Sequence, residues 1–131
     1  MTSPTRPTGP MASDAAWPRL RAGTNADCES VRNLVFTVLC EYGLKPDPGC
    51  TDADLDDIKH SYLARGGVFR VLVEQDGSIV GSYGLYPMEP GVCELRKMYL
   101  RRDCRGKGLG RRLLEDALAC AKQGGFRRVT L

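Results

Sequence analysis

The chain has 131 residues, 42% of them hydrophobic and 27% charged, with a net charge of +3 and six cysteines. That length holds one domain with a core of moderate size, and the composition is that of a globular protein. The charge is too small to argue for nucleic acid, no window approaches the roughly 18 apolar residues of a membrane span, and no C-x-x-C pair or Cys/His cluster points to a metal site. The cysteines read as buried thiols of a reducing compartment. With no apolar signal segment at the start, the expected location is cytoplasmic.

Residues 1–16, rich in Pro, Ser and Thr, read as a disordered tail ahead of a domain over 17–131. Trp17–Ala22 is a short first strand. A helix follows, capped by Asn25 or Asp27, with Val31, Leu34, Val35, Val38 and Leu39 as its apolar stripe and Gly43 ending it. Lys45–Gly49, with two prolines, is a loop. Thr51-Asp52-Ala53-Asp54 resembles a capping arrangement opening a second helix, with Leu55, Ile58, Tyr62 and Leu63 on its inner face. Its acids, with Glu41, Asp47, Asp56 and Asp57, read as a solvated face. His60 has no visible partner and reads as a surface residue.

Three strands come next. Val68–Glu74 places Val68, Arg70, Leu72 and Glu74 on one side and Phe69, Val71 and Val73 on the other. Asp76-Gly77 is a hairpin turn, Ser78–Met88 returns, and Glu89-Pro90-Gly91 turns again into Val92–Leu100. Strict alternation there would put residues 93, 95 and 99 on one face and 92, 98 and 100 on the other. Together these strands should form an antiparallel meander. Tyr86 and Tyr99 read as ordinary strand aromatics, and Cys93 and Cys104 as packing residues.

The meander feeds Arg105-Gly106-Lys107-Gly108-Leu109-Gly110, then a helix with Leu109, Leu113, Leu114, Ala117, Leu118 and Ala121 at helical spacing. Gly124-Gly125 stops it, and Phe126–Leu131 begins a strand parallel to the last strand of the meander. Glycines at a helix start let a ligand approach the backbone, whose free amides and dipole suit a phosphate. From Arg96 to Arg112 there are eight basic side chains and one acid, Asp103, so the local field also favours an anion. A nucleoside-triphosphate loop needs Ser or Thr after its lysine, whereas Gly108 follows Lys107. A dinucleotide fingerprint needs its third glycine one residue later than Gly110.

In this order of strand, glycine turn and helix, the segment resembles the Arg/Gln-x-x-Gly-x-Gly/Ala signature of the GNAT superfamily of N-acetyltransferases. The similarity in hydrophobic pattern reaches back to about Leu20. The resemblance implies an α/β fold with a mixed sheet: strand, two helices, three-stranded antiparallel meander, helix and parallel fifth strand. The further helix and two strands that close the family fold have no residues here, so the chain reads as truncated after the fifth strand. That leaves an apolar sheet edge, for which completion by a second chain, as in a homodimer, is one option.

The same resemblance implies acetyl-CoA as co-substrate, with direct transfer to a primary amine in a ternary complex. It assigns the pyrophosphate to Arg105, Gly106, Lys107, Gly108, Leu109, Gly110 and Arg111, and the pantetheine arm to the main chain of Met98, Tyr99 and Leu100. The N–H of Met98 would stabilise the oxyanion and Glu94 would be the general base, with pairing of Glu94 to Arg70 or Arg96 as the alternative. The general acid, a tyrosine in the family, would lie beyond Leu131. The acidic run from Asp47 to Asp57 suggests a cationic acceptor, either a small molecule or a peptide lysine, and no nucleic-acid or membrane partner is expected. The competing reading is a non-catalytic acyl-CoA-binding module or an inactive fragment.

Overall fold

The computed structural model describes residues 17–45 and 52–131. Eight regular elements follow one another: β1 (Arg19–Ala22), α1 (Cys28–Glu41), α2 (Ile58–Ser61), β2 (Val68–Val73), β3 (Ile79–Glu89), β4 (Val92–Leu100), α3 (Leu109–Gln123) and β5 (Arg128–Thr130). They form one five-stranded sheet in the order β1-β2-β3-β4-β5. The first three pairings are antiparallel and the last, β4 with β5, is parallel. This is the mixed α/β sheet that the family resemblance implied. The loop expected over Lys45–Gly49 and the tail expected over 1–16 lie largely or wholly outside the described residues.

Helix α1 starts after a 3-10 turn at Asn25–Asp27. The Asp27 carboxylate accepts from the Thr24 amide at 2.8 Å and from Arg21 Nη1 at 2.8 Å. The Arg21 hydrogen bond holds the Asp27 carboxyl below its ordinary range against the opposing effect of burial. Val31, Leu34, Val35 and Val38 are buried as expected, and the helix closes through Gly43 in a left-handed conformation.

The second helix is not continuous. A 3-10 turn at Ala53–Asp56, the single turn of α2 and another 3-10 turn at Leu63–Arg65 share its length. The cap is Asp57, whose carboxylate accepts from the His60 amide at 3.0 Å. Two carboxylates expected on a solvated face, Asp52 and Asp54, point inward instead, which a regular amphipathic helix with this stripe would not allow. Leu55, Ile58 and Tyr62 are buried, but Leu63 is turned outward.

The sheet separates two apolar clusters. Val31, Val35, Leu55, Ile58 and Tyr62 pack with Phe69, Val71 and Val73 on one face. Leu72, Val80, Tyr83, Leu85, Cys93, Leu113, Ala117 and Ala121 pack on the other. Each large buried aliphatic contributes about 1.5–3 kcal/mol, so these clusters fix which way each strand faces. On α3 the inner stripe is narrower than expected: Leu113, Ala117 and Ala121 are buried, whereas Leu114 and Leu118 are exposed. Among the described cysteines all are free thiols; Cys28, Cys93 and Cys104 are buried, but Cys40 is exposed, against the expectation of burial.

Strict alternation fails on β4. Ser82 pairs with Tyr99 and Gly84 with Arg96, so Tyr83 alone faces both Lys97 and Met98. This β-bulge inverts the parity of the strand. Cys93, Leu95, Met98 and Leu100 all pack toward α3, and Tyr99 packs toward α1 and α2. The division of 93, 95 and 99 from 92, 98 and 100 is therefore corrected by one inserted residue, Lys97, which has φ of 54°.

Candidate functional site

The glycine turn lies where β4 hands over to α3. Gly106 and Gly108 both have left-handed backbones, φ 78° and 80°, and Gly108 is the N-cap of α3. Glycine is the residue that takes this conformation without a Cβ penalty. The first bond of the helix runs from the Arg112 amide to the Gly108 carbonyl at 3.1 Å. The amides from Gly106 through Arg111 have no acceptor among the described residues. A Cβ built on Gly106, Gly108 or Gly110 would meet nothing within 4 Å. The turn is thus an open concavity of backbone donors at the positive end of a helix of 15 residues.

Neither the conformation nor the packing of Gly110 requires a glycine. It lies in the first turn of α3 with an ordinary negative φ and open space around it. Glycine in a helix costs about 0.5–1 kcal/mol relative to alanine.

Arg105 anchors the turn. Its Nε donates to the Leu100 carbonyl at 3.0 Å, and Nη2 lies 2.9 Å from Glu41 Oε1 at the end of α1. A cleft of about 350 Å³ opens beside it, lined by Met98, Tyr99, Leu100, Arg105 and Gly110 together with Val38 and Tyr42 of α1. Five of the residues expected to hold one ligand therefore share one cleft. Gly106, Lys107, Gly108, Leu109 and Arg111 stand in the adjoining turn. β5 pairs with β4 only as far as Glu94, so the edge from Leu95 to Leu100 has no strand beside it among the described residues.

The positive field is weaker than the sequence suggested, because most of those charges have partners. Arg96 pairs with Glu94, Lys97 with Asp52 and Asp54, Arg101 with Asp103, Arg105 with Glu41 and Arg111 with Glu115. The Arg112 guanidinium donates to the Pro18 carbonyl at 2.7 Å. Arg102, Lys107 and Arg112 have no carboxylate partner among the described residues.

Glu94 lies on the face of β4 toward α2, opposite Tyr86, and does not line the cleft. Its carboxylate accepts from Arg96 Nε, while the Arg96 guanidinium stacks 3.9 Å from the centre of the Tyr86 ring. Arg70, the other candidate partner, is on the opposite face and pairs with Asp116 at 3.0 Å. Asp52 and Asp54 are nearly buried with the Lys97 ammonium 3.0 and 3.4 Å from their Oδ1 atoms. The Tyr62 hydroxyl donates to Asp54, and burial first, then that hydrogen bond, pushes the phenol well above its ordinary range. Tyr99, half-buried beside this group, is raised by burial too.

Sequence reasoning missed Lys97, which reads as one more surface cation, and its hydrogen-bonded neighbour Ser82. The only signal was the pair of successive cations Arg96 and Lys97, which strict alternation would place on opposite faces of the strand.

The sequence pattern of the acetyltransferase (GNAT) family matches residues 33–131. The chain belongs to the GNAT family. It is 38% identical over 119 residues to the uncharacterized N-acetyltransferase YjgM of Escherichia coli strain K12, covering 87% of this chain and 71% of that protein. It is 32% identical over 84 residues to the probable N-acetyltransferase camello of Xenopus laevis, covering 63% of this chain and 38% of that protein. Among solved structures, a GNAT-family acetyltransferase of Staphylococcus aureus superposes with a TM-score of 0.75 at 24% identity, covering 80% of this chain and 66% of that one. An acetyltransferase of Clostridium acetobutylicum solved with acetyl-CoA gives 0.71 at 15% identity, covering 86% and 79%. These two likenesses speak for the fold. In this GNAT chain the glycine turn lies between β4 and α3.

Proposed function

We propose that this chain carries the acyl-CoA site of an N-acetyltransferase that passes acetyl from acetyl-CoA directly to a primary amine while both are bound. The observation that carries the reading is the run of unaccepted amides from Gly106 through Arg111 at the open start of α3, continuous with the cleft along Met98, Tyr99 and Leu100. That is a cradle for a diphosphate joined to a slot for an extended arm.

Acetyl-CoA supplies an activated acyl group, and the residues here do the rest. Amides of the glycine turn and the Arg105 anchor bind and orient. The main chain of Met98, Tyr99 and Leu100 aligns the arm along the unpaired edge of β4. The Met98 N–H faces the carbonyl oxygen as negative charge builds on it. Glu94 takes the proton from the attacking amine, whose nitrogen forms the amide as the C–S bond breaks and the thiolate leaves with the bonding pair. With Asp52 and Asp54 committed to Lys97, only Asp56 and Asp57 of the described run remain exposed to support a cationic acceptor.

Calorimetry with CoA and acetyl-CoA, followed by thiol release with a panel of primary amines, tests this. Micromolar binding with amine-dependent release supports it, and absence of CoA binding overturns it. One observation favours a second reading, a non-catalytic acyl-CoA-binding module: the Glu94 carboxylate is held by Arg96. Binding without release under any amine selects that alternative.

A further inference from the structure

Lys97 is the only non-glycine residue with positive φ among the described residues, and it is held from two directions. Its carbonyl accepts from Ser82 Oγ at 2.8 Å, and Ser82 is fully buried on β3. A trans peptide sets N–H opposite C=O. Drawing the Lys97 carbonyl toward β3 therefore turns the Met98 N–H away from β3, toward the unpaired edge of β4 and the cleft that Met98 lines. The ammonium extends beneath the sheet to Asp52 and Asp54, and its side chain is only 9% exposed.

The conformation does not call for lysine, since glycine or asparagine adopts it more readily. Burying an ammonium is unfavourable unless carboxylates compensate it, and here two do. Lysine, two aspartates, serine and bulge together make a clamp on one peptide unit.

We propose that Lys97 is a positioning residue for acyl transfer: its ion pairs with Asp52 and Asp54, with the Ser82 bond to its carbonyl, fix the peptide that aims the Met98 N–H at the reacting carbonyl oxygen. The inference rests on the acetyltransferase reading above and goes beyond it by assigning that donor's direction to residues outside the glycine signature. The clamp also ties the donor to the helical segment from Asp52 to Arg65.

Two variants of the full chain test it. Lys97→Gly keeps a residue suited to the left-handed bulge and removes the ammonium. Ser82→Ala removes the second hold and leaves the buried charges paired, so it remains informative should the first variant fold poorly. Expected are kcat losses of about 10- to 100-fold in each, because a misaimed donor is lost from the transition state. The dissociation constant for CoA, measured by calorimetry, should stay within about twofold, since ground-state binding at the turn is untouched. The residual dipolar coupling of the Met98 N–H, which reads the direction of that bond, should change in both variants while those of α3 stay fixed. Lys97→Arg should recover part of the rate.

Unchanged kcat in both variants overturns the proposal, as does loss of rate and CoA affinity in step with thermal stability. Should the unaltered chain bind CoA yet release no thiol, the acetyltransferase reading fails separately. The Met98 coupling then decides on the clamp, and an unchanged value in both variants sinks it.

Discussion

Arg105 Nε donates to the carbonyl oxygen of Leu100 at 3.0 Å, joining the last residue of β4 to the residue that opens the glycine turn. Its other arm reaches Glu41 at the end of α1, so one guanidinium spans three elements around the cleft. Lysine would keep the charge but lose the planar fork. Arg105→Lys should weaken CoA binding by about tenfold and lower stability by no more than ~1 kcal/mol, as expected for partly exposed pairs. Calorimetry and chemical denaturation check both, and undiminished affinity would remove Arg105 from the site.

Glu94 is committed to Arg96, yet that pair is only part-buried, with side chains 28% and 32% exposed. An amine arriving on this face can compete for the carboxylate. Glu94→Gln should lower kcat by about 100-fold, while Arg96 keeps its stacking on Tyr86 and the melting temperature barely moves. A Glu94→Gln kcat equal to that of the unaltered chain at every pH would exclude Glu94 as the base.

Strand order and the glycine turn were legible because hydrophobic period and φ-demanding residues are local signals. Asp76-Gly77 and Gly91 turn the chain where glycine must, and Gly106 and Gly108 take the left-handed backbone that their type allows. The bulge at Lys97 carries no such signal. It depends on Ser82 fifteen residues away and on Asp52 and Asp54 in another segment, so alternation read from β4 alone assigned the wrong parity from Met98 onward. The broken second helix has the same origin: Asp52 and Asp54 turn in to meet a cation that only the fold brings near.

Asp116 is the acceptor that fastens α3 to the sheet, taking the Tyr83 hydroxyl at 2.6 Å and Arg70 Nε at 3.0 Å. Burial works to raise its carboxyl, but the hydrogen bonds from Arg70 and Tyr83 outweigh it and hold the group below its ordinary range. A carboxylate depressed in the folded state adds stability above its unfolded pKa of about 3.9, and that stability is lost as pH falls through the lower folded value. Asp116→Asn should therefore cost about 1–3 kcal/mol at pH near 7, and its deficit should shrink as the unaltered chain is acidified below the ordinary carboxylate range. Urea denaturation across that window checks it; a deficit independent of pH would mean the carboxylate charge contributes nothing.

Gly110 separates a ligand site from a merely tight turn. Its backbone is helical and a Cβ would enter open space, so alanine there fits the folded chain without strain. Gly110→Ala should raise stability by about 0.5–1 kcal/mol through helix propensity and a less flexible unfolded chain. If a diphosphate rests on the amides of Leu109, Gly110 and Arg111, the added methyl intrudes on its approach, and CoA affinity should fall by about tenfold or more even as the protein becomes harder to unfold. Opposite movements of stability and affinity in one variant would show that the bare backbone serves something outside the chain. A stability gain with CoA affinity intact would show that the turn is only a turn.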